Sequence, residues 1–225
     1  MRSRTAGFRF TVPALVRRID PALIARRGFP PLNGLTDGRF LDDPRFAPIL
    51  ARAEALGVPL YLHPGIPPEA VRRAYYDGLP GHLSFMLSIA AWGWHAETAV
   101  HVLRLVLSGT LDRYPGLQLI IGHMGESIPF SLTRIDEALS RRRGRFPFRE
   151  IFCHNFYITT SGNFSTPALL CCVLERGVDR ILFSVDYPFS PNAAGRAFLD
   201  QLPLSPPDKE KLAHGNADRL LKLRV

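Results

Sequence analysis

From about Gly28 to the C-terminus, short apolar runs alternate with longer amphipathic stretches. Pro59–Leu62 (PLYL), Leu117–Ile121 (LQLII), Phe156–Thr159 (FYIT) and Arg180–Val185 (RILFSV) read as strands. Their nearly unbroken apolar character is that of strands covered on both faces. Between them a helical period returns. Asp42-Asp43-Pro44 predicts a helix start, with an acidic cap and proline in the first turn. That helix should run to about Leu56, where Gly57 stops it. Further helices are predicted over Glu97–Ser108, Ser127–Arg142 and Thr166–Arg176, and near Pro206–Ala213 and Asn216–Leu223, where Asn216 reads as a cap. In Ser127–Arg142, the residues Ile128, Leu132, Ile135 and Leu139 share one face. Pro64–Trp94, rich in glycine, proline and aromatics, reads as a long irregular stretch. Strand and helix in alternation predict an α/β fold with a parallel sheet under helices. A TIM-like (β/α) barrel is the first expectation and an open doubly wound sheet the second.

Composition narrows this to one soluble domain. The chain has 225 residues, 46% hydrophobic and 21% charged, and its length suits a single domain. No apolar run approaches the roughly 18 residues that a membrane span needs, so no membrane partner is expected. Three cysteines, Cys153, Cys171 and Cys172, form neither a disulfide framework nor a CxxC pair, which fits a cytoplasmic, reducing setting. The net charge of +8 is unevenly placed: residues 1–28 hold seven arginines against Asp20 alone. The remaining body is nearly neutral, and the Arg141, Arg142, Arg143 and Arg145 run ends a predicted helix, where cations suit the dipole. This distribution argues against a nucleic-acid face. The chain is expected to divide into a basic segment at 1–28 and a barrel domain at 29–225.

Three polar residues fall at one structural place. His63 follows PLYL, His123 follows LQLII and a glycine, and Asp186 follows RILFSV. Catalytic groups of an α/β barrel project from the C-terminal ends of its strands. Two imidazoles and a carboxylate converging there can hold a divalent cation. Glu126, three residues after His123, can reach back to fix the imidazole tautomer, or simply cap the following helix. His101, four residues after Glu97 on one helix, reads as a structural pair with it. His82, His95 and His154 show no acidic partner at suggestive spacing, and Cys171-Cys172 reads as buried core.

Several ordered segments then carry a resemblance. They are RFLDDPRF (Arg39–Phe46), PLYLHP (Pro59–Pro64), IIGHMGESIPFSLTRID (Ile120–Asp136), TTSGNF (Thr159–Phe164), DRILFSVDYPF (Asp179–Phe189) and GNADRLLKL (Gly215–Leu223). From about Asn33 onward the chain resembles the amidohydrolase-related metal-dependent decarboxylases of the aminocarboxymuconate-semialdehyde decarboxylase type. The nearest branch is that of the γ-resorcylate and 2,3-dihydroxybenzoate decarboxylases. The resemblance implies a distorted (β/α)₈ barrel, one zinc or manganese ion, a small aromatic acid as substrate and a homo-oligomer. By position it implies His63 and Asp186 as metal ligands and His123 with Glu126 as a catalytic dyad, with Asp186 a second proton donor. Phe189 resembles an aromatic that packs on substrate, and Arg134 an arginine near the subunit interface that meets the neighbouring active site.

One departure changes what to expect. The family's first strand supplies two metal ligands as Glu-x-His or His-x-His, whereas this chain has no histidine before His63 and no glutamate before Glu54. Fewer ligands imply weaker metal binding. A barrel incomplete at its N-terminus, as in a truncated gene product, is expected. The implied activity is non-oxidative decarboxylation of a hydroxylated aromatic acid, impaired by the lost motif. The alternatives are metal-dependent hydrolysis of an ester or amide, and an inactive fragment or scaffold.

Overall fold

The computed structural model describes residues 31–140 and 147–223. The basic segment 1–28 and the arginine run 141–145 therefore lie outside the described residues. Five parallel strands pair in chain order: β1 (Pro31–Asn33), β2 (Leu60–His63), β3 (Leu119–Ile121), β4 (Phe156–Thr159) and β5 (Ile181–Leu182). Between β1 and β2 runs α1 (Ala47–Leu56). Between β2 and β3 lie α2 (Glu69–Tyr75), α3 (Leu83–Ser88), α4 (Gly93–Leu107) and α5 (Thr110–Arg113). Then come α6 (Ile128–Ser140) and α7 (Phe148–Asn155) before β4, and α8 (Thr166–Arg176) before β5. The chain closes with α9 (Asn192–Gln201), α10 (Pro206–Glu210) and α11 (Asn216–Leu221). Each strand neighbours the next in sequence, which is the winding of a barrel. A doubly wound sheet would reverse direction from its first strand. Among the described residues the sheet is an open arc with β1 and β5 at its edges.

The strands are apolar throughout because both faces are covered. Register sets Leu62 beside Ile121 and Ile121 beside Ile158. With Leu60, Leu119, Phe156 and Ile181 they pack into the main core against the helices. The alternate residues, Ile120, Tyr157 and Leu182, meet Tyr61 and the α11 residues Ala217 and Leu220 on the opposite face. Each fully buried leucine or isoleucine contributes roughly 1.5–3 kcal/mol.

Local chemistry explains most departures from the predicted elements. Asp43 caps a 3-10 turn, Pro44–Phe46, by accepting from the Arg45 amide, and α1 follows it. Gly57 stops α1 in the left-handed conformation. The last predicted strand is cut to two residues because the Phe183 amide leaves the ladder for the Leu212 carbonyl. Asn216 is no exposed cap: its fully buried side chain donates to the Val178 and Ile181 carbonyls, each at 2.8 Å, and so ties α11 to β5. The stretch 64–94 contains α2 and α3, and α4 begins at Gly93 rather than Glu97. Cys172 is buried in the core and Cys171 half-buried.

Candidate active site

His63 ends β2, His123 lies two residues beyond β3, and Asp186 follows β5. These are C-terminal ends of parallel strands, so the three side chains converge. They line one cavity of about 610 Å³ together with Trp94, Ser161 and Phe189. The His63 and His123 rings lie 6.3 Å apart. Phe189 stands at the rim, 86% exposed. Glu126 is fully buried behind His123. Arg134 is not brought here: it sits on an exposed face of α6 and does not line the cavity.

The backbone that carries His123 and Glu126 is unusual. His123, Met124, Gly125, Glu126 and Ser127 all have positive φ, between 48° and 77°. The segment is a left-handed turn, not the first turn of α6, and the Gly125 amide closes it on the Gly122 carbonyl at 2.8 Å. A left-handed turn still places residues three apart on one side, and His123 Nδ1–H donates to Glu126 Oε1 at 2.8 Å. That bond leaves His123 Nε2 as the ring's remaining nitrogen.

Sequence spacing missed the second partner of Glu126. His95, two residues into α4, donates through Nδ1 to Glu126 Oε2 at 2.5 Å. Its Nε2 reaches the Ala90 carbonyl at 3.1 Å, and the ring packs 5.3 Å from His123. The absence of an acidic partner for His95, read from spacing, is thus corrected: the partner is 31 residues away on another element. Each ring nitrogen faces an oxygen acceptor, and the hydrogen bond to the Glu126 carboxylate holds the pKa of His95 above the ordinary histidine value. His95, His123 and Glu126 have ligand atoms within 4.8 Å of one another. Both nitrogens of His95 are already engaged, so this group is a hydrogen-bonded triad rather than a chelate.

Donors with a free ligand atom, able to hold a cation, lie elsewhere on the wall. His63 Nδ1–H donates to the Pro64 carbonyl at 2.8 Å, which fixes the tautomer and leaves Nε2 as the free ligand atom. Such an outer hydrogen bond is what metal-binding histidines have. His63 nitrogen with the Asp186 carboxylate makes a mixed donor pair suited to zinc or manganese. Asp186 has φ of 69°, a strained conformation for a non-glycine residue, and its side chain lines the cavity. Beneath them the Tyr61 hydroxyl is shared with Ser161 at 3.2 Å and Thr159 at 3.4 Å, and burial pushes the Tyr61 phenol up. The predicted His101–Glu97 pair does not form. His101 Nε2 instead accepts from the Leu41 amide at 2.8 Å, because α4 turns that ring into the core.

An amidohydrolase-family model matches residues 12–223, beginning inside the basic segment. The chain belongs to the amidohydrolase family. Within this family it is 40% identical over 190 residues to the γ-resorcylate decarboxylase of a Polaromonas species, aligning 82% of this chain and 56% of that one. This amidohydrolase therefore spans about half the length of the curated relatives it matches. The crystal structure of the 2,6-dihydroxybenzoate decarboxylase from Rhizobium superposes with a TM-score of 0.83 at 38% identity, over 94% of this chain and 68% of that one. A dihydroxybenzoic acid decarboxylase from Polaromonas, with bound manganese and 2-nitroresorcinol, superposes at 0.78 with 37% identity, over 92% and 67% of the two chains.

Proposed function

We propose that this amidohydrolase removes carbon dioxide from a hydroxylated aromatic acid without oxidation. The carrying observation is the cavity in which His123, backed by buried Glu126, and Asp186 share a wall with His63. Its dimensions and the rim residue Phe189 suit one aromatic ring. The relatives that act on such acids support the reading.

In this reading His63 and Asp186 would hold one zinc or manganese ion. That ion supplies a template and Lewis acid for the substrate's carboxylate and adjacent hydroxyl oxygen. Two such donors by themselves would hold it weakly, since affinity depends on ligand number. His123 or Asp186 adds a proton to the ring carbon bearing the carboxylate. The bond from that carbon to the carboxylate then breaks, its electron pair returns to the ring, carbon dioxide leaves, and the donor is reprotonated from water. Glu126 holds the Nδ1–H of His123, so that Nε2 is the nitrogen that takes up a proton from water and passes it to the ring carbon. Phe189 packs on the ring face.

Arg134 lies outside the cavity, so any contact with substrate has to come from a neighbouring copy. We place it, with Phe130 one turn away, at a homo-oligomer contact. The unpaired cysteines among the described residues support a cytoplasmic setting. Among those residues no helix is long and apolar enough to cross a membrane.

The test is carbon dioxide release from 2,6- and 2,3-dihydroxybenzoate with manganese or zinc supplied. Release that His123→Ala and Asp186→Asn each abolish supports the reading. Ester or amide cleavage without release from either acid contradicts it.

A further inference from the structure

We propose that His95 is a positioning residue, the second clamp on Glu126 that holds His123 in its working orientation. The inference rests on the reading of His123 as the group that moves the proton. A glutamate end group rotates through a broad torsional well, so one hydrogen bond leaves its second oxygen unfixed. Here both oxygens are claimed, Oε1 by His123 and Oε2 by His95, inside a fully buried position. Removing the second donor would leave a buried carboxylate oxygen unpaired, which costs the full desolvation of that oxygen. The carboxylate relieves that cost by turning or by taking a proton, and either change releases His123 Nδ1.

His95 is itself held from behind. Its Nε2–H donates to the Ala90 carbonyl, in the tight connection between α3 and α4. That connection closes so tightly that a Cβ at Gly93 would lie 2.1 Å from the Ser88 carbonyl oxygen. A chain of contacts thus runs from the α3–α4 connection through His95 to Glu126 and on to His123. It joins the wall contributed by α4 to the wall contributed by β3. His95 also lines the cavity, but both its nitrogens are engaged by Glu126 and Ala90, so it acts through Glu126.

Three variants of the full chain test this: His95→Ala and His95→Phe, which remove the donor, and His95→Asn, whose amide nitrogen sits near the imidazole Nδ1 position. The removals are expected to lower kcat about 10- to 100-fold, the usual loss when an outer hydrogen-bond partner is deleted, with KM little changed. His95→Asn is expected to keep most of kcat. A second readout needs no substrate: the ¹⁵N-edited proton signal of His123 Nδ1–H. It should persist in the parent and in His95→Asn, and vanish by exchange with water in His95→Ala and His95→Phe. If the signal and kcat survive both removals, or if His95→Asn loses the signal as they do, the proposal is overturned. Should the chain release no carbon dioxide from any acid offered, the proposed reaction fails, while the NMR signal still decides the role of His95.

Discussion

At the scale of single residues, the turn from His123 to Ser127 is where backbone cost is concentrated. A left-handed conformation costs a non-glycine residue roughly 1–2 kcal/mol, and four such residues surround Gly125. Gly125, at φ of 77°, meets no such cost, but an added Cβ would lie 3.0 Å from Pro129 and 3.1 Å from Ile158. Gly125→Ala is therefore expected to destabilise the fold by about 2 kcal/mol or more, with a Tm lowered by several degrees in calorimetry. It should also lower turnover, because the turn aims His123 and Glu126. An unchanged Tm would show that the turn relaxes freely. His63, His123, Glu126 and Asp186 were legible in the sequence because each follows an apolar run or sits three residues from a partner. His95 was not, because its partner lies on a different element and no spacing rule reaches across the fold.

Among the elements, α4 connects the site to the core, and two of its other ionisable residues, His101 and Glu97, push stability in opposite directions with pH. Burial lowers His101 to about 4 from the ordinary histidine value. The unfolded chain takes up a proton near pH 6.5 and the folded one only near 4. This residue's share of stability is therefore complete above pH 6.5 and is lost as pH falls toward 4, on the order of 3 kcal/mol. Burial raises Glu97 to about 7, partly offset by the Leu35 amide. The folded chain then holds a proton that the unfolded one releases, so Glu97 weakens the fold as pH rises from 4.5 through 7. Urea unfolding should show His101→Gln flattening the loss below pH 6.5. Glu97→Gln should give its largest gain at pH 8 and little at pH 5. Equal effects at both pH values would contradict these assignments. The helix itself was legible from its period, but its first turn was not. Gly93 and two bulky residues, Trp92 and Trp94, hide the start, which is set by packing against the α3–α4 connection rather than by a capping side chain.

Over the whole molecule, the two-sided burial of the strands was readable from their apolar runs, but the order in which they pair was not, since a barrel and a doubly wound sheet both fit the pattern. Nor was the number of strands in the sheet, because closure depends on edges that no local pattern encodes. Helix α6 presents Phe130, 86% exposed, beside exposed Arg134, and α8 packed against it presents Leu174, also 86% exposed. The proposed homo-oligomer contact would cover this surface. Phe130→Asp is expected to lower the mass measured by light scattering, whereas a parent chain that is already monomeric would remove that assignment. The central claim, proton delivery to a ring carbon at this site, is tested most directly by turnover of 2,6-dihydroxybenzoate in D₂O with manganese present, followed by NMR. The account predicts a phenolic product carrying one deuterium at the carbon that lost the carboxylate, formed by the parent and not by His123→Ala. Unchanged acid, or equal product from the His123→Ala chain, would contradict it.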